Sequence, residues 1–426
     1  MLDQFIRRNT AVQYFRFTWV DYSGVVHAKV VTKARSLLVA SNQHHVYLAQ
    51  NCLIVPISIA PSCSPEGPQR WELRPDWSSL RVCGFKNNHA VVMCYVEQLV
   101  PKPVDTLYKC PRTALGNALQ RWEGGRDILV GFGIEFMLLG HDLNLLPGLD
   151  QPTAYANLAG LRGETLAILD KICTALERSR IEIYGFHCDI ANRLKISLAP
   201  AKPMESIDQL LLAQETIRSI AVAHNMKATM FPQAVFPCPN DEYHMHLSLD
   251  PLPPHPDSFI AGILENINAL CAFGMPSYDS YVRVTDDCPG RFIGWGTENR
   301  DLPIRRIEDN HWEFRFCDAT ANLYLFVAAL LAAGLQGMDN KTPLTFKDCM
   351  VFQKELTSER LTEHGMGERM PTSLRSTIDA AKKNEGLERC LGKTLLTEYI
   401  KVKELELTKF QGTREEQRRR KYLLFF

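Results

Sequence analysis

Three groups of residues have types and spacings suited to chemistry. The run Tyr243-His244-Met245-His246-Leu247-Ser248 sets two imidazoles two positions apart, and on a strand that spacing turns both rings to one face. Such a pair can ligate a metal, move protons or donate to phosphate, or it can be two hydrogen-bonded histidines and nothing more. Glu135 stands inside the apolar run Gly131–Gly140. A carboxylate there needs an ionic partner, water or a cation, unless it faces solvent from a strand end. The third group is arginine-rich: Arg283 in DSYVRV, Arg300 and Arg305 in ENRDLPIRR, and Arg315 in HWEFRF. Alternation puts His311, Glu313 and Arg315 on one face of the last segment. Converging guanidinium groups bind carboxylate or phosphate through paired hydrogen bonds, whereas dispersed ones are surface charge. Arg283 and Arg315 have aromatic and apolar neighbours, which favours convergence.

Each group must be held by regular elements. Val12–Trp19 and Val25–Val31 read as strands joined by a turn at Gly24, with further strands over Leu53–Ile59 and Ala90–Val96. Pro61–Pro75 reads as a loop, Pro101-Lys102-Pro103 as a linker, and Pro111–Trp122 as a helix. Beyond residue 126, strands over Asp127–Leu139, Ile181–His187, Leu194–Leu198, Ala228–Phe231, Tyr243–Leu249 and His311–Phe316 are expected. They alternate with helices over Leu161–Ser179, Ile207–His224, Pro256–Phe273 and Ala321–Gly337. Glu135, both histidines, Glu313 and Arg315 all fall on expected strands. The segment from Ser373 onward is helical and polar. It finishes in a basic run, Arg418–Lys421, followed by the apolar Tyr422–Phe426, which should pack against something.

Composition narrows the function classes. The 426 residues carry 48 Lys plus Arg against 48 Asp plus Glu, so a global basic surface for nucleic acid is excluded. Apolar residues make up 46% and charged residues 23%, as in a chain with a sizeable core. No apolar stretch is long enough to span a membrane, and the first residues do not read as a secretory leader. The 13 cysteines have no regular spacing and are expected as free thiols in the cytoplasm.

In this order, the clusters resemble the glutamine synthetase family over nearly the whole chain. VQYFRFTWVDYSGVVHAKVV and LRPDWSSLRV look like its small domain, EFRFCDATANLYLFVAALLAAGLQG like its late signature, and the segment from Met370 like its C-terminal helices. The resemblance implies an α+β fold. A β-grasp-like domain over 1–103 would precede a catalytic domain over 104–426 with an antiparallel sheet funnel flanked by helices. It also implies a ring homo-oligomer with active sites at subunit interfaces.

The family's two divalent cations need several oxygen ligands, and this chain departs from that set. Where the family has two glutamates one residue apart, the chain has Gly133 and Glu135. Two more metal glutamates fall on Cys188 and Lys195. Glu135, His244 and Glu313 remain as metal candidates, with Asp189 one position away from a lost ligand. The flap glutamate falls near Cys288, and the ammonium-site aspartate in Ile59–Ser64, which holds no acid. Two basic nucleotide contacts fall on Glu308 and His311. His246, Ser248, Arg283, Arg300, Arg305 and Arg315 are retained.

An ammonium at Lys195 would neutralise Glu135 and Glu313 without a metal. Cys188 with His244, Glu135 and Glu313 is the alternative, a zinc site. The leading expectation is an enzyme acting on a small carboxylate-bearing metabolite by ATP- and metal-independent acid/base chemistry: isomerisation, cyclisation, elimination or decarboxylation. Lys195, His244, His246 and Glu313 would be catalytic, and Arg283, Arg300, Arg305, Arg315 and Ser248 would bind substrate. No cofactor is expected in that case. The alternatives are an ATP-dependent carboxylate–amine ligase, which would need ATP and Mg²⁺ or Mn²⁺, and a non-catalytic structural or regulatory relative.

Overall fold

The computed structural model describes residues 1–49, 51–57, 70–98, 109–122, 127–146, 154–190, 192–235, 243–284 and 290–426. The first sheet comprises β1 (Tyr14–Val20), β2 (Val26–Thr32), β3 (Val46–Leu48), β4 (Trp71–Pro75), β5 (Arg81–Val82) and β6 (His89–Gln98). Its order is β2-β1-β6-β4-β3, with β5 paired to β6, and β1 and β6 run parallel. β1 buries Phe15, Phe17 and Trp19 on one face.

The β1–β2 turn is built on Asp21, whose Oδ1 accepts from the backbone N–H groups of Ser23 and Val25 at 2.9 Å each. Gly24 adopts φ +84°, and a Cβ there would lie 2.3 Å from the carbonyl oxygen of Thr320. Only glycine meets both conditions.

Two expectations for this region need correction. The described part of the Leu53–Ile59 segment, up to Ile57, is turn and irregular backbone rather than strand. The C-terminal end of the Pro61–Pro75 loop is strand β4, where Trp71 and Leu73 turn their side chains into the core. Pro75 fits because it closes the strand and breaks no ladder beyond it. The expected boundary at residue 103 lies outside the described residues.

The second sheet carries β7 (Asp127–Leu139), β8 (Ile183–Cys188), β9 (Arg193–Leu198), β10 (Lys227–Thr229), β11 (Tyr243–Asp250), β12 (Trp295–Thr297), β13 (Ile304–Glu308) and β14 (His311–Cys317). The order is β12-β13-β14-β11-β7-β9-β8, with β10 on β7, and all pairs but β12–β13 are antiparallel. Helices Gly163–Arg178, Pro203–Ala223, Pro256–Gly274 and Leu323–Asp339 accompany it. The third and fourth pack on each other and are buried nearly all round, which explains their almost continuous apolar sequence.

Later helices Leu374–Lys382, Lys393–Phe410 and Glu415–Tyr422 follow. Tyr422 stacks on Phe231 at 5.0 Å, and Leu423 and Phe426 are buried with it, so part of the apolar run finds cover within the chain. Arg418 bonds Asp279 and lies over the Tyr278 ring at 4.5 Å. The chain is thus α+β.

Polar contacts stitch the first sheet to the rest. Asn322 donates to the carbonyl of Asp21 at 2.8 Å, and Ser23 to Glu406 at 2.6 Å. Buried Arg112 joins Asp76, at 2.7 Å, to buried Asp208, which also accepts from Tyr324 at 2.6 Å.

Candidate active site

The register of the second sheet gathers the polar residues on one face, because directly paired residues share a face. Glu135 on β7 pairs with Lys195 on β9, and Lys195 pairs with His187 on β8. His244 and His246 on β11 pair with Gly133 and Gly131 on β7. On the other side His246 pairs with Glu313 on β14, Ser248 with His311, and Glu313 with Arg305 on β13.

Two buried carboxylates organise this face, each 2% exposed. Glu135 receives Lys195 Nζ at 2.9 Å on Oε1 and Arg193 Nη1 at 3.2 Å on Oε2. Glu313 receives His244 Nδ1 and Arg315 Nη1 on Oε1 and Arg305 Nη1 on Oε2, all at 2.7 Å. Burial alone would raise the Glu313 carboxyl. The hydrogen bond and charge of His244, with the two guanidinium groups, instead hold it well below the usual carboxylate range. Arg305 also bonds Glu298. Four cations (Arg193, Lys195, Arg305 and Arg315) therefore meet three carboxylates (Glu135, Glu298 and Glu313), before any histidine is counted.

Three histidines of this face, His246, His311 and His187, are biased toward neutrality. Desolvation pushes His246 down to about 4, with Glu313 pulling the other way and His311, His244 and Lys195 adding to the fall. His246 Nδ1 lies 3.0 Å from His311 Nε2. His311 and His187 are also lowered, chiefly by desolvation. At neutral pH His246 is thus an uncharged ring able to accept a proton, with a fixed ammonium close enough to shift its titration.

The family's divalent cations do not fit these residues. Among the described residues no three His, Cys, Asp or Glu side chains are grouped to hold a metal. Both remaining carboxylates are saturated by cationic donors, and Lys195 takes up the space above Gly133. A Cβ at that glycine would sit 2.9 Å from Lys195 Cε.

Three expectations change in detail. Lys195 serves Glu135, whereas Glu313 is neutralised by His244, Arg305 and Arg315. Cys188 takes no part in a zinc site. It follows His187 on β8, so its side chain turns to the opposite face, where the buried thiol donates to the carbonyl of Asn157 at 2.9 Å. Asp189 is used locally, accepting from Ile190 N–H at 2.7 Å.

The arginines divide. Arg305 and Arg315 reach the site, while Arg300 is exposed in the turn between β12 and β13 and has no bond to the cluster among the described residues. Arg283 ends a 3-10 turn, and its side chain lies outside the described residues, as do Cys288 and 59–64. Sequence reasoning missed Arg193 and His187. The signal was present, since Arg193 lies two residues before Lys195 and so shares its face.

A family model for the glutamine synthetase catalytic domain matches residues 108–422. Over its full length the chain is 29% identical to protein fluG of Emericella nidulans, spanning half the length of that protein. It is 28% identical to the glutamine synthetase of Methanocaldococcus jannaschii, with 83% of each chain covered. Among solved structures, a GmaS–ADP complex superposes with a TM-score of 0.83 at 21% identity, covering 99% of this chain and 98% of that one, which bears on fold. With the catalytic-domain model spanning most of its residues, the chain belongs to the glutamine synthetase family.

Proposed function

We propose that the polar face of the second sheet binds a small carboxylate-bearing metabolite and acts on it by acid/base chemistry, using neither ATP nor a divalent cation. Glutamine synthetases usually work with ATP and Mg²⁺ or Mn²⁺, so this is a departure within the family. The observation that carries it is the seat of Lys195, bonded to Glu135 at 2.9 Å and lying over Gly133. A fixed ammonium there repels a divalent ion and attracts an anion.

In this reading Arg305 and Arg315, with Arg283 and Ser248 as further contacts, hold the substrate carboxylate, and Arg300, exposed in its turn, is left out. Neutral His246 removes a proton from the substrate, and Lys195 stabilises the negative charge that develops. His244 and Glu313 fix the donors around it. A proton removed and returned elsewhere gives isomerisation or cyclisation. Loss of a leaving group or of CO₂ gives elimination or decarboxylation. As in the homologues, the molecule would be an oligomer, here a ring with sites at subunit interfaces in the cytoplasm. No helix among the described residues is long and apolar enough to cross a membrane.

One observation favours a second reading. A GmaS–ADP complex shares the fold over nearly the whole chain, which fits an ATP-dependent carboxylate–amine ligase. Differential scanning fluorimetry separates the two. A panel of small carboxylates in EDTA is compared with ATP plus Mg²⁺, and each hit is followed by turnover. Stabilisation and turnover by a carboxylate in EDTA is the expected result. Mg²⁺-dependent ATP binding would overturn the proposal in favour of the ligase. Hits without turnover, or none, would leave a structural relative.

A further inference from the structure

We propose a second ligand site, between the first sheet and the helix Pro203–Ala223, that takes a small carboxylate carrying a short apolar chain. It is independent of the reading above. Arg16 and Thr18 on β1 share a sheet face with Val91 and Met93 on β6, and Thr18 also with Ala28 on β2. Opposite them, Leu212, Glu215 and Arg218 project from the helix at three-residue spacing, which keeps them on one side of it. Between the two surfaces lies a cavity of about 130 Å³ lined by all eight residues.

The cavity has an apolar floor and an unbalanced charge. Met93, Leu212 and Val91 are buried at 2%, 4% and 8% exposure, while Ala28 is exposed and stands at the mouth. Arg16 bonds Glu215 at 3.1 Å, and Glu215 is 44% exposed. Arg218 Nε is sealed from solvent and has no hydrogen-bond partner among the described residues. Two guanidinium groups thus flank one carboxylate, whose Oε1 accepts from Arg16 and from Ser219. Desolvation lowers the Arg218 pKa, with Glu215 pulling the other way.

A buried donor left unmade is costly, and a carboxylate fits a guanidinium edge with two parallel bonds. The apolar floor then selects a hydrocarbon tail over a hydrated anion such as phosphate. An amine is disfavoured by both arginines. The volume restricts the tail to a few carbons.

Isovalerate is a suitable probe, with isobutylamine as the cationic control. Titration calorimetry and thermal shift would be run on the intact chain, on Arg218→Gln, on Ala28→Trp and on Lys195→Met. The expected result is saturable isovalerate binding that survives Lys195→Met and weakens at least tenfold in Arg218→Gln and in Ala28→Trp, with no response to isobutylamine. Ala28→Trp blocks the exposed mouth without touching the floor, so the test stands if Arg218→Gln fails to fold. No binding, equal binding of the amine, or binding lost in Lys195→Met but kept in Ala28→Trp would overturn the proposal.

Discussion

Lys195 occupies the space that a side chain at position 133 would need, since a Cβ built on Gly133 would lie 2.9 Å from Lys195 Cε and 3.8 Å from its Nζ. A side chain at 133 and the ammonium at 195 therefore compete for one volume. A cation supplied by the chain stands where the family resemblance would place a cation from solution.

This contact predicts strong coupling. Gly133→Ala should push Lys195 away from Glu135 and cost about 1–3 kcal/mol, the order of a lost charged hydrogen bond. In a Lys195→Ala background the same change should cost much less. Urea unfolding of the four-member cycle checks this, and additive effects would show that the contact is unimportant.

Acids at both positions should create a metal site. In the Gly133→Glu, Lys195→Glu double variant, Glu135, His244 and Glu313 gain two further acids. Mn²⁺ should then raise the melting temperature reversibly with EDTA, by about 3 kcal/mol of stability at a hundredfold excess over Kd. The unaltered chain should show no such rise. If it responds equally to Mn²⁺, the assignment of Lys195 as a substitute cation fails.

Glu313 is the anchor of three donors. Glu313→Ala would leave Arg305, Arg315 and His244 facing one another in a largely buried site, and should cost about 3–5 kcal/mol. Glu313→Gln keeps the shape and should cost less, but should still weaken carboxylate turnover because the arginines are released. Denaturation and steady-state kinetics on both variants read the two effects separately. A fold that tolerates Glu313→Ala would contradict the geometry.

Acid sensitivity should come from histidine. The His246 pKa is depressed to about 4 in the folded state, so the unfolded chain binds its proton first as pH falls. The neutral ring thus supports stability above about pH 6.5, and that support is lost as pH drops through about 4. The loss should be on the order of 3 kcal/mol for this residue, with His311 and His187 adding in the same direction. His246→Asn should flatten the stability profile between those limits. The Glu313 carboxyl is held far too low to titrate in that window. An unchanged profile in His246→Asn would assign the effect elsewhere.

Parts of this site were legible in the sequence because they are local. Alternation alone joined Glu313 to Arg315 on β14 and turned His244 and His246 the same way. The pairing of Glu135 with Lys195 joins strands 60 residues apart, and only the family resemblance brought those positions together. Arg193 escapes because the expected strand starts at Leu194, whereas β9 starts one residue earlier, at Arg193. The strand β4 was hidden by the prolines around it, and β3, with three residues, is too short to show a period. Arg300 looked equivalent to Arg305 in the sequence, yet a turn leaves it in solvent while the ladder carries Arg305 to Glu313.

The seam between the first sheet and the rest has a thermodynamic consequence. Arg112 is 3% exposed and held between Asp76 and Asp208, while Glu406 is 1% exposed and accepts from Ser23 and from the backbone of Ile57. Pulling the first sheet away would take Asp76 from Arg112 and the Ser23 and Ile57 donors from Glu406, leaving Arg112 only Asp208 and Glu406 only Lys403, and buried polar groups that lose a partner are costly. The two sheets should therefore melt together, giving one calorimetric transition whose van't Hoff and measured enthalpies agree for each chain.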